Sequence, residues 1–150
     1  MARYLIVANQ TLGGEQLVAR VDQLLAAGPA TVHLAVPVTD VEGTHQWDHP
    51  RNDRAVPDAH EIARTLAEAR LEHELARLHR LGIEADGQIV DADPVRRIRE
   101  IVATDRFDEV VVSTLHQRLS RWLHTDLPHR LARALTVRVS HVEGSAGPSI

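Results

Sequence analysis

Short apolar runs that alternate with amphipathic segments of helix length restrict this chain more than any other feature. Tyr4 to Ala8 is a continuous apolar run, as expected for a strand buried on both faces. In "GGEQLVARVDQLLAAGP", Leu17, Val21, Leu24 and Leu25 fall on one helical stripe, which Gly28 and Pro29 end. "ATVHLAVPV" is a second strand. Asp58 to Leu81 reads as a long helix with Leu71, Leu75 and Leu78 on its later apolar face and Gly82 as its stop. "IEADGQIVDA" is a third, weaker strand. Asp93-Pro94 then opens a helix, with Asp as N-cap and Pro at the first helical position. Val95, Ile98 and Val102 form its stripe. "FDEVVVS" is a strongly buried fourth strand, Leu127, Leu131 and Leu135 mark a last helix, and "TVRVSHV" is a fifth strand. This β-α alternation predicts an α/β fold: a parallel sheet with helices on both faces.

Two segments stand outside the pattern. The stretch 40–57 is polar, rich in Pro, His, Asp and Arg, and long for a connection; loops of this length are functional lids or disordered segments. The closing "EGSAGPSI" is small and polar, and is expected to be a flexible tail over 143–150. Residues 1–142 make one domain, large enough to hide roughly 70% of the surface its unfolded chain exposes. The last strand, Thr136 to Val142, is rich in β-formers and expected at a sheet edge. It is the surface through which a homodimer would form across a twofold axis.

Absences exclude several chemistries. With no cysteine there are no disulfides, thiol nucleophiles or cysteine metal sites. With no lysine, a Walker-type lysine and a Schiff-base lysine are also excluded. The all-arginine habit, beside abundant alanine, is read as GC-rich coding. A net charge of -4 argues against a general nucleic-acid or anionic-membrane surface. The opening "MARYLIVAN" is too short for a signal-peptide core, and no run approaches the ~20 apolar residues of a membrane span. A soluble, cytoplasmic protein is the expectation.

Three blocks carry a resemblance: the first strand "LIVANQT", the helix start "DADPVRRIREI", and "DEVVVSTLHQRLSRWLHTDLPHRLARALTVRVSHV". Together they resemble the universal stress protein family over nearly the whole chain, Tyr4 to Val142. The resemblance implies a single doubly wound five-stranded parallel sheet, order 3-2-1-4-5, with two helices on each side. The ATP-binding branch of that family carries Gly-x2-Gly-x9-Gly-Ser/Thr after the fourth strand, where backbone N–H groups hold phosphates. Here the first glycine falls on Ser113 and the second on or beside His116. With Leu119-Ser120-Arg121 in register the loop is one residue short, and the last Gly-Ser pair falls on Thr125-Asp126. The family's Asp-Gly-Ser after the first strand reads Asn9-Gln10-Thr11, and its Gly-Asp-Pro reads Ala92-Asp93-Pro94.

Glycine in a phosphate cradle permits φ > 0 and close approach of the backbone to the anion; side chains obstruct both. Asp126 at the following helix start would repel a polyanion. ATP is therefore not expected to be held in the family's manner. His116, Arg118, Arg121 and His124 surround the same turn, and arginine suits bidentate contact with phosphate or carboxylate. Either Arg118 and Arg121 build a different anion site or they face solvent. Asn9, Gln10 and Thr11, with Ser113 and Thr114, sit where a doubly wound sheet opens its ligand crevice. The competing reading is turn chemistry, with Thr11 capping the first helix. The candidate ligand contacts are thus Asn9, Gln10, Thr11, Ser113, Thr114, His116, Arg118, Arg121 and Thr125.

Other candidates are weaker. His45, Asp48 and His49 specify no fourth metal ligand and read as plain loop, so no metal is expected. His60, His73 and His79 do not share one helical face, and His33 and His141 read as strand histidines satisfied by neighbours. No nucleophile elbow or triad is present. The resemblance with these departures implies a non-catalytic binding or interaction protein of stress response, with no obligatory cofactor. A sensor that binds a nucleotide such as ATP, or another anion, through an Arg/His-rich loop is the alternative.

Overall fold

The computed structural model describes residues 1–38, 59–91, 93–116 and 126–148. Its elements run β1 (Ala2–Val7), α1 (Glu15–Ala26), β2 (Ala30–Pro37), α2 (Ala59–Arg80), β3 (Glu84–Val90), α3 (Pro94–Thr104), β4 (Glu109–Leu115), α4 (Asp126–Ala134) and β5 (Val139–Gly144). All strand pairings are parallel and the sheet order is β3-β2-β1-β4-β5, as the resemblance implied. β1 is the central strand: Val7 stands opposite both Ala35 of β2 and Val112 of β4.

Strand alternation sends successive side chains to opposite faces, and the core divides accordingly. On one face Ile6, Val32, Leu34 and Val111 pack with Leu17 and Val21 of α1 and Ala67 and Leu78 of α2. On the other, Leu5, Val7, Ala35, Val110 and Val112 pack with Ile98 and Ile101 of α3 and Leu131 of α4. Two helices thus cover each face. The third helix starts as its sequence indicates, with Asp93 accepting from the Val95 amide at 3.2 Å and Pro94 in the first turn.

The long helix differs from its reading in one respect. Its buried stripe includes Ala63, Ala67 and Leu78, and also Glu74, only 5% exposed. Arg77 forks onto that carboxylate, with Nε to Oε1 at 3.1 Å and Nη2 to Oε2 at 2.6 Å. This hydrogen-bonded pairing is what makes a buried carboxylate tolerable here. It also raises the hold of Arg77 on its proton.

The chain's end differs more. A bend at 136–137 turns the chain from α4 toward the sheet, so β5 starts at Val139 and runs to Gly144, past the boundary drawn at Val142. Residues 145–148, assigned to a flexible tail, lie against the turn between β1 and α1. Ser145 donates its amide and hydroxyl to Gln16 Oε1 at 2.9 and 3.0 Å, and Gly147 N–H donates to the Gln10 carbonyl at 2.8 Å. Small residues make this approach possible: a Cβ on Gly147 would overlap the Leu12 carbonyl oxygen. No helix among the described residues is long and apolar enough to cross a membrane.

Candidate functional site

β1 and β4 are neighbours, but the chain leaves β1 toward β2 and leaves β4 toward β5. The two connections diverge at the carboxyl ends of these strands, and in open α/β sheets that divergence makes the ligand crevice. Here two side chains of these strand ends bond each other. The Thr11 and Ser113 hydroxyls are 2.7 Å apart and hydrogen-bonded, and the two residues are 2% and 7% exposed. Thr11 therefore does not cap α1. The N-cap of that helix is Gly14, which offers no side-chain bond.

Asn9 is also engaged. Its amide nitrogen donates to the Pro37 carbonyl at 2.7 Å, and its amide oxygen accepts from Arg70 Nη1 at 2.8 Å. A carbonyl on one side and a guanidinium on the other fix which way the amide points. Burial lowers the pKa of Arg70 from the usual arginine value, yet arginine stays charged at any ordinary pH. Where the family's motif has an aspartate, this protein holds a neutral amide between β2 and α2.

The remaining candidates separate. Ser113 and Thr114 are consecutive in β4 and so face opposite sides of the sheet. Val111 packs on the α1–α2 side while Val110 and Val112 pack on the α3–α4 side, which sends Ser113 to the first side and Thr114 to the second. Thr114 Oγ1 meets His141 Nε2 of β5 at 2.7 Å. His116 lies exposed at the β5 exit, with its amide donating to the Gly144 carbonyl at 2.7 Å and its ring 3.5 Å from the Glu143 carboxylate. Gln10 is half-buried and accepts the Gly147 amide through its carbonyl. Arg118, Arg121 and Thr125 lie outside the described residues, as do His124, His45, Asp48 and His49. Among the described residues no group of His, Cys, Asp or Glu is placed to hold a metal.

Sequence reading missed Arg70, Glu74 and residues 145–148. Arg70, Glu74 and Arg77 recur at helical spacing beside Ala63, Ala67 and Leu78, so polar residues on the buried stripe of a long helix were the available signal. Of the other histidines, His33 is satisfied by Asp86 at 2.7 Å and Gln88 at 2.9 Å, and His60 pairs with Asp91 at 3.0 Å.

No protein-family model matches the sequence, and no curated protein matches it. Solved structures do. A universal stress protein in complex with cAMP aligns over 95% of this chain and 98% of its own, at 20% identity and TM-score 0.59. A universal stress protein family protein from Arabidopsis thaliana with AMP bound aligns over 96% and 93%, at 14% identity and TM-score 0.57. A protein of the same family from Burkholderia pseudomallei aligns over 93% and 94%, at 17% identity and TM-score 0.54. At these identities the likeness is one of fold.

The burial of the His141 ring has a pH consequence. Partial burial lowers the pKa of His141; Glu143 opposes this and His129 adds to it. A depressed folded-state value means that the unfolded chain takes up the proton first as pH falls. The contribution is complete above the unfolded value of about 6.5 and is lost as pH drops through the folded value. Urea unfolding at about pH 7.5 and about pH 5.5 should give a smaller loss of stability in His141→Gln than in the parent.

Proposed function

We propose that this protein, which has the universal stress protein fold, is a non-catalytic binding or interaction protein of stress response that does not hold ATP by a glycine loop. The observation that carries this reading is the Thr11–Ser113 bond: the hydroxyls that would meet a ligand at the ends of β1 and β4 meet each other. Two further observations agree with it. Ser113 brings a side chain to the position where the family's motif begins with glycine, and Asn9 is held by Pro37 and Arg70. The absence of lysine and cysteine removes two nucleophile classes. The Thr114–His141 hydroxyl–imidazole pair uses a threonine only 8% exposed, which suits a structural bond better than a nucleophile.

A second reading is a sensor for an adenine nucleotide or another anion, with Arg118 and Arg121 replacing the glycines. It is favoured by the cAMP and AMP carried by proteins of the same fold. Thermal-shift titration with ATP, ADP, AMP and cAMP separates the two. A ligand at a hundredfold its dissociation constant adds about 2.7 kcal/mol, or roughly 5–10 °C for a domain of this size. The expected result is no shift with any of them at millimolar concentration. A shift of that size with ATP contradicts the first reading, and one lost in Arg118→Ala/Arg121→Ala establishes the second.

The proposal includes a homodimer through the last strand, read from sequence as Thr136 to Val142. β5 pairs with β4 on one side. The Arg138 and Gly144 carbonyls point to β4, accepting from Val110 and His116, so by alternation the Glu143 amide points to the opposite edge. Proline at 143 removes that outward donor without touching the β4 ladder. Sedimentation should find a dimer for the parent and a monomer for Glu143→Pro; an unchanged dimer would place the interface elsewhere.

A further inference from the structure

Residues 145–148 leave β5 and reach the turn that follows β1, two strands away, so the segment spans the position of β4 between them. It is bound at three points: the Ser145 amide and hydroxyl on Gln16 Oε1, and the Gly147 amide on the Gln10 carbonyl. Around Gly14 and Gly147 the contact is backbone against backbone. A Cβ on Gly14 would collide with the Ser145 carbonyl oxygen, and one on Gly147 with that of Leu12. The turn it grips, residues 10–14, carries Thr11, one half of the clasp on Ser113. The grip itself is light. Ser145, Ala146 and Pro148 are exposed, and no large apolar side chain anchors the segment. Few bonds and little buried apolar surface are the marks of a segment that opens locally, well below the cost of unfolding the sheet.

We propose that residues 145–148 form a detachable strap that gates the crevice: docked, they press the β1–α1 turn onto β4 and keep Thr11 on Ser113; released, they let the turn lift and open the crevice. The inference rests on the second reading above, in which the crevice takes a nucleotide or another anion. The strap acts through the turn, so it controls access to any small ligand without contributing a side chain to it.

The chain has no cysteine, so Ser113→Cys supplies a single thiol reporter inside the crevice. Its rate of reaction with an aromatic disulfide is measured in the full chain, in the full chain with Gly147→Val, and in a chain ending at Gly144. Val112→Cys, at a residue with 0% exposure one position earlier, reads global unfolding in the same three backgrounds. The expected result is at least about tenfold faster labelling at position 113 in both strap variants, with position 112 unchanged. Any smaller acceleration in either variant, or equal acceleration at 112, overturns the proposal. Labelling needs no ligand, so its outcome is independent of the nucleotide titration that tests the proposed function.

Discussion

The placing of β1 between β2 and β4 governs everything else in this molecule. Val7 is in register with Ala35 on one side and Val112 on the other, and both core layers close over that strand. Because the chain leaves β1 and β4 in opposite directions, their carboxyl ends must part. Parted strand ends expose backbone and side-chain polar groups that need partners. Many proteins of this architecture satisfy them with a ligand. Among the described residues here, the Thr11 and Ser113 hydroxyls bond each other, and Pro37 and Arg70 hold Asn9.

These contacts draw on distant parts of the chain. Arg70 is presented from the middle of α2, whose inward face is kept close by Ala63 and Ala67 and steadied by the Glu74–Arg77 pair. Residues 145–148 come from beyond β5 and bond Gln10, next to Thr11, and Gln16 of α1. Burying a paired charge is rarely a net gain in stability. Glu74 and Arg70 are better understood as fixing where α2 sits over the end of β1.

The fold was readable because its signals are local and repeated. The valine run of β4, the leucines of α1 and the Asp93-Pro94 start of α3 each dictate an element from a few neighbouring residues, and the alternation of these elements dictates a parallel sheet. The strand order came through resemblance, since nothing in periodicity says which strands are neighbours. The site was legible only in part. Asn9, Thr11 and Ser113 could be named from their place at strand ends, but whether their polar atoms face a ligand or one another depends on contacts across 102 residues, as for Thr11 and Ser113. The grouping of Ser113 with Thr114 overlooked strand alternation, which sends Thr114 to His141 on the opposite face. The strap was hidden for a different reason: Gly, Ser and Ala compose flexible tails and close backbone contacts alike, and only the partner surface distinguishes them.

The central claim is that the crevice is closed by its own hydroxyls, and a double-mutant cycle on Thr11 and Ser113 measures that closure directly. Unfolding free energies of the parent, Thr11→Val, Ser113→Ala and the double variant give the coupling between the two side chains. A bond made in the closed crevice should appear as a coupling of about 1 kcal/mol, with the double variant less destabilised than the sum of the singles. Additivity within about 0.3 kcal/mol would mean that the two hydroxyls do not hold the crevice shut in solution.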